Sequence, residues 1–294
     1  MDRRSFPGLA GLLPLYSLNM DSKELKNTLL TGESTERMPV LFIGHGSPMN
    51  AIEDNYFSET WKKMGTTLPA PRAIICISAH WETSGTFVTA MPEPQTIHDF
   101  GGFPKALYDA QYPAPGNPGL ASEVTRSFIN NQVGQDNSWG LDHGAWSVIK
   151  HLYPKADIPV VEFSLDYRKN PQAHYDLAKE LKAFRDKGVL IIGSGNLVHN
   201  LGRIDWSHMN DPEYGFDWAL KANETFKKLM IDGNHRALAE YSQLGKEVQL
   251  AVPSPDHFLP LLYALALKDE KEPLSFFNDK AVMGSLTMTS IKIG

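Results

Sequence analysis

From residue 39 onward the chain alternates short apolar runs, rich in β-branched residues, with longer stretches in which apolar residues recur every three or four positions. Continuous apolar runs at 40–43, 73–78, 87–90, 158–163 and 189–192 predict buried strands. The segment 284–293 alternates more and predicts a late strand. Helical spacing covers 118–129, 145–152, 171–187 and 213–230, then 236–241 and 258–267. The helix beginning at Pro171 is well marked, with Asn170 as N-cap, Pro171 at the first position and Gly188 after its end. Strands alternating with helices predict an α/β fold: a single domain with a mostly parallel central sheet covered by helices on both faces.

Composition narrows the function. The 294 residues include 28 Lys+Arg and 34 Asp+Glu, a formal net charge of −6, with no basic cluster. That is no electrostatic footprint for nucleic acid, so no nucleic-acid partner is expected. No apolar run approaches the roughly 20 residues of a membrane span, and a cytoplasmic protein is expected. With 42% hydrophobic residues the chain can bury a full core. Its single cysteine, Cys76, excludes an internal disulfide framework and sits in an apolar run where an inert core thiol is expected.

Residues 1–37 read as a flexible N-terminal extension, and 38–294 as the globular part. Arg3-Arg4-Ser5-Phe6 before an apolar stretch has the outline of a twin-arginine signal. Pro7 and Pro14 interrupt that stretch and no small-residue cleavage site follows, so an ordinary extension is preferred, with Met20 and Met38 as alternative starts.

The ten histidines matter most. His45 follows the predicted strand 40–43, His80 follows 73–78, and His199 comes shortly after 189–192. Ligands of parallel α/β sheets bind beyond the carboxyl ends of the strands, so these three can converge. His143 and His257 each stand just before a predicted helix. Several imidazoles without cysteine suit Zn(II), Fe(II) or another borderline divalent ion. The contrasting reading for any one of them is a hydrogen-bonded structural histidine. His174, on a helix face, and His151, His208 and His235, in polar stretches, read as solvated. His98, in a Gly-rich aromatic loop, is a candidate to line a pocket.

Other chemistries fit less well. Gly193-Ser194-Gly195 opens like a dinucleotide fingerprint, but Val198 occupies the place of its third glycine. Gly44-His45-Gly46-Ser47-Pro48 is not a nucleophile elbow, and no His-Glu-x-x-His helix exists.

Five motifs in order carry a family resemblance. They are Gly44-His45-Gly46-Ser47-Pro48, Ser78-Ala79-His80-Trp81, Asp142-His143-Gly144-Ala145-Trp146, residues 193–200 (Gly-Ser-Gly-Asn-Leu-Val-His-Asn), and Pro255-Asp256-His257-Phe258-Leu259-Pro260-Leu261. From about Met38 to the C-terminus the chain resembles the class III extradiol ring-cleavage dioxygenases, in particular the bacterial side of the 4,5-DOPA dioxygenase branch.

The resemblance implies one mononuclear divalent metal per chain, Zn(II) or Fe(II), with Fe(II) needed for turnover. His45, His80 and His257 match metal ligands. His257 stands where the wider class has a glutamate, which leaves the site one negative charge short. His199 matches the base and lies where it can be a fourth ligand in a resting zinc form; His143 matches a second acid/base or orienting group. The partners implied are a catechol such as DOPA and O2, opened between carbons 4 and 5 to a seco-DOPA-type product. Trp81, Phe100, Phe103 and Trp146 are candidates to wall an aromatic pocket. The alternatives are a zinc-dependent hydrolase using the same imidazoles, or a non-catalytic metal-binding relative.

Overall fold

Four of the apolar runs become the neighbouring central strands of an eight-stranded sheet. The structure, a computed structural model, describes residues 36–129 and 132–294; the arginine pair, Met20 and most of the expected extension lie outside them. The strands are β1 (Val40–Gly44), β2 (Ala73–Thr83), β3 (Thr86–Thr89), β4 (Val133–Asp136), β5 (Val160–Asp166), β6 (Val189–Gly195), β7 (Leu274–Phe277), β8 (Ala281–Val282), β9 (Leu286–Thr287) and β10 (Ser290–Ile293). Their order is β4-β3-β5-β2-β6-β1-β10-β7, with β8 and β9 forming a separate ribbon. Strands β5, β2, β6 and β1 run parallel, while β10 and β7 close one edge antiparallel. The expected α/β architecture with a mostly parallel sheet is therefore the one observed.

Side chains alternate across this sheet. Leu41, Ile43, Ile74, Cys76, Leu190 and Ile192 face one core with Trp61, Trp146 and Ile149, contributed by helices Tyr56–Thr67 and His143–Leu152. The opposite face is covered by helix Leu259–Ala266, whose eight residues are all buried. A helix that apolar all round can only exist inside the molecule. Cys76 is a buried free thiol, as expected.

Several boundaries differ from the sequence pattern. The helix expected over 171–187 is broken into Pro171–Ala178, a 3-10 turn at Lys179–Leu181 and Lys182–Arg185. The late strand divides into β9 and β10. Helix Tyr56–Thr67, not among the expected helices, sets Phe57, Trp61 and Met64 at i, i+4 and i+7 against the core. It is started by a capping box between Asn55 and Ser58.

Candidate metal centre

The carboxyl ends of adjacent strands β1, β6 and β2 deliver three of the histidines. His45 leaves β1 with its N–H bonded to the Gly195 carbonyl at 3.1 Å, while its own carbonyl accepts Asn50 Nδ2 at 2.9 Å. His80 lies inside β2, which runs on past residue 78, where the sequence pattern ends it. There the pairing with β5 jumps from Ile77 opposite Phe163 to Glu82 opposite Leu165, a bulge that re-aims the side chain. His199 follows β6 and donates its N–H to the Ala251 carbonyl at 2.9 Å. His143 is the first residue of its helix, not the residue before it, because Asp142 is the N-cap and accepts from the Ala145 N–H. His257 precedes helix Leu259–Ala266 and accepts the Asn196 N–H at 2.9 Å.

Two motif glycines are required by this crowding. A Cβ on Gly195 would lie 2.1 Å from the His257 carbonyl oxygen, and one on Gly144 would lie 2.5 Å from Ser78 Oγ and 2.9 Å from His80 Cδ2. Gly195→Ala is accordingly expected to cost about 1–3 kcal/mol through displaced backbone. Urea unfolding checks this; an unchanged midpoint would mean that the strand yields freely.

The five rings meet. His45 Nε2 and His80 Nε2 are 3.1 Å apart, and His45, His80 and His257 present ring nitrogens all within 4.8 Å of one another. The His80 and His143 rings are 3.9 Å apart, and His199 stacks on His257 at 3.5 Å with 7° between planes.

Hydrogen bonds decide the tautomers. Ser194 Oγ donates to the Gly144 carbonyl, so towards His45 Nδ1, at 3.0 Å, it accepts. His45 therefore carries its proton on Nδ1 and aims a lone pair from Nε2. His257 Nδ1 donates to Asp256, and His80 Nδ1 lies 3.5 Å from Asp99 Oδ2. His45 and His257 are thus tethered through Nδ1, leaving Nε2 for the shared space, where His80 Nε2 faces His45 Nε2. The His45 Nε2 lone pair faces His80 Nε2 at 3.1 Å, a separation that a proton on His80 or a cation between the two rings satisfies. Tetrahedral Zn–N bonds of about 2.0–2.1 Å imply donor separations of about 3.4 Å. The donor set thus fits a divalent metal.

Burial keeps these rings neutral. His45 and His80 are held well below the usual histidine pKa by desolvation and then by the neighbouring imidazoles. His199 is lowered to about 3, chiefly by burial and by His257. Burial works to raise the Asp99 carboxyl, but bonds from His143 outweigh it and lower it. Its Oδ1 accepts the His143 backbone N–H and its Oδ2 accepts Nδ1–H, both at 2.9 Å. Behind them Ser78 Oγ donates to Asp142 at 2.7 Å, and the Asp142 N–H donates to Glu162 at 2.7 Å. Burial raises both carboxyls.

Asp99, Asp256 and Ser194 escape a reading based on residue types alone. The visible signal for Asp256 is its place directly before His257. Of the four candidate wall aromatics, Phe100 meets the His143 ring edge-on at 5.6 Å, and Phe103 packs on Phe100. Trp81 and Trp146 are core residues: Trp81 is buried and stacks on Trp139, and buried Trp146 bonds the Ile97 carbonyl. His98 is half-buried and bonds the Ala110 carbonyl, bracing its loop. The expectation that His174 and His151 are solvated is incorrect. Both are buried, bonded to the Tyr263 hydroxyl and the Asn50 carbonyl respectively. His208 and His235 are partly exposed.

Sequence and structure comparisons agree with this arrangement. Residues 39–290 match the family described as the catalytic LigB subunit of aromatic ring-opening dioxygenase, and the chain belongs to that family. Within the family it is similar to the 4,5-DOPA dioxygenase extradiol of Escherichia coli (strain K12), with 46% identity over 89% of this chain and 96% of that one. The Beta vulgaris protein of the same name is 35% identical over 85% of this chain and 94% of its own. A crystal structure of an uncharacterised Escherichia coli K12 protein superposes with a TM-score of 0.76 at 40% identity, covering 88% of this chain and all of that one. The protein is a dioxygenase of the extradiol, aromatic ring-opening kind. No helix of the described residues is long and apolar enough to cross a membrane.

Proposed function

We propose that residues 38–294 form the catalytic domain, which opens a catechol such as DOPA between carbons 4 and 5 with O2 to a seco-DOPA-type product. His45, His80 and His257 hold one divalent metal in this reading. The observation that carries it is the convergence of ring nitrogens of His45, His80 and His257 within 4.8 Å of one another, with His45 and His257 tethered through Nδ1. A divalent metal held there would lower the pKa of the catechol hydroxyls, and Fe(II) would supply the redox capacity that Zn(II) lacks.

The protein's own groups handle the protons. His199 is neutral at pH 7, its pKa lowered to about 3, and stands ready to accept a hydroxyl proton as the ring-bound catechol ionises. It groups with Asp256 and His257, which suits a base beside the metal better than a fourth ligand. His143 is held by Asp99 through Nδ1, so its Nε2 is left free of that bond, and a proton gained there is balanced by the Asp99 carboxylate. That makes His143 the better donor in ring opening. Phe100, edge-on to His143, flanks the bound ring. A cytoplasmic setting, with its free thiol kept reduced, belongs to the same reading.

The test is anaerobic loading of metal-free protein with Fe(II) or Zn(II), then DOPA and air. A yellow product with matching oxygen uptake is expected in the iron sample only. Silence of the iron sample with DOPA but turnover of another catechol would reassign the substrate; silence with every catechol would sink the assignment.

A further inference from the structure

Three neutral imidazoles leave a divalent ion with no charge compensation among its ligands, and the structure differs at the three tethers. His45 is tied to a neutral hydroxyl, Ser194. His80 lies 3.5 Å from Asp99, whose two oxygens are already engaged by the nearer backbone N–H and Nδ1–H of His143 at 2.9 Å. His257 alone has a carboxylate directed at its Nδ1, that of Asp256. Asp256 is also within 4.8 Å of a His199 ring nitrogen, because His199 stacks on His257.

We propose that Asp256 is a positioning residue that supplies the missing negative charge one hydrogen bond out, strengthening His257 Nε2 as a metal donor and fixing it toward the metal. A carboxylate accepting the distal N–H of a ligating imidazole sets its tautomer and raises its donor strength, and losing such a partner typically costs 10–100-fold in metal affinity. The charge acts through the His257 ring, so it strengthens the donor without taking a coordination position itself. The inference rests on the ligand assignment proposed above.

The experiment uses the full chain stripped of metal, with Zn(II) affinity measured by competition against a chromophoric chelator and Co(II) absorption recorded at saturation. Asp256→Asn keeps an acceptor oxygen at nearly the same place and removes only the charge. Its Zn(II) affinity is expected to fall about 10–100-fold, with a shifted Co(II) band. Asp256→Glu is expected to recover most of the loss, which a purely packing role would not do. His257→Ala is the reference and should abolish stoichiometric binding. If His257→Ala abolishes binding while Asp256→Asn stays within about threefold of wild type with an unchanged Co(II) band, the inference is overturned and the ligand set stands. If His257→Ala binds Zn(II) like wild type, the ligand set itself falls, and the role of Asp256 with it.

Discussion

Replacing His199 with alanine is expected to lower ring-cleavage turnover by about 10²–10⁴-fold, the usual weight of a positioned acid or base, while catechol affinity and metal content change little. The reasoning is geometric. His199 stacks on His257 at 3.5 Å and does not share the group formed by His45, His80 and His257. Its removal therefore takes away a proton acceptor and leaves the proposed ligand set intact. Because the ring stays neutral well below pH 7, no deprotonation of the base itself should appear in the rate profile near pH 6.5. Steady-state oxygen uptake on iron-loaded His199→Ala protein, with metal content measured on the same sample, decides the matter. A loss below about tenfold would move the base to another residue, and loss of metal together with rate would make His199 a ligand.

The metal-free protein is expected to be acid-labile in a window set by its buried histidines. His45 and His80 are held well below the ordinary value, His174 at about 4 and His199 at about 3, in each case by desolvation first. In the unfolded chain each titrates near 6.5. Below that value the unfolded state binds more protons than the folded one, so stability falls as pH falls. Each group contributes up to about 1.4 kcal/mol per pH unit until its folded pKa is reached. Glu162 and Asp142 act in the opposite sense, since burial raises their carboxyls and folding then takes up protons above about pH 4. They offset part of the effect, not all four histidines. Urea midpoints of metal-free protein should drop steeply from pH 7 to pH 5, and Zn(II) should restore much of the loss at pH 6 by occupying the neutral rings. A flat profile over that range would show that the rings are solvated in the folded protein.

Much of the fold was legible because apolar strands buried on both faces leave continuous runs that need no partner to be recognised. Five such runs became β1, β2, β3, β5 and β6 within a few residues. The elements that were missed bury little of their own surface or are polar. Strand β4 reads Val-Gly-Gln-Asp with one residue buried, and helix Tyr56–Thr67 turns only the stripe of Phe57, Trp61 and Met64 to the core among mostly polar residues. The five histidines of the site were visible as residues beyond strand ends or before helices, since topology places loops of parallel strands on one edge. The burial of His151 and His174 was not visible, because the groups they bond, the Asn50 carbonyl and the Tyr263 hydroxyl, are distant in the chain.

The amino-acid sequence by itself determined the sheet, the edge on which chemistry collects, and which five imidazoles stand there. Those follow from local periodicity and chain order. Only the tertiary structure decided which nitrogen is free on His45, His143 and His257, through Ser194, Asp99 and Asp256. It also decided that His80 turns inward on a bulge, and that burial keeps the rings neutral. Tautomer, aim and protonation depend on contacts and solvent exclusion between segments far apart in the chain, and no local pattern of residues encodes them.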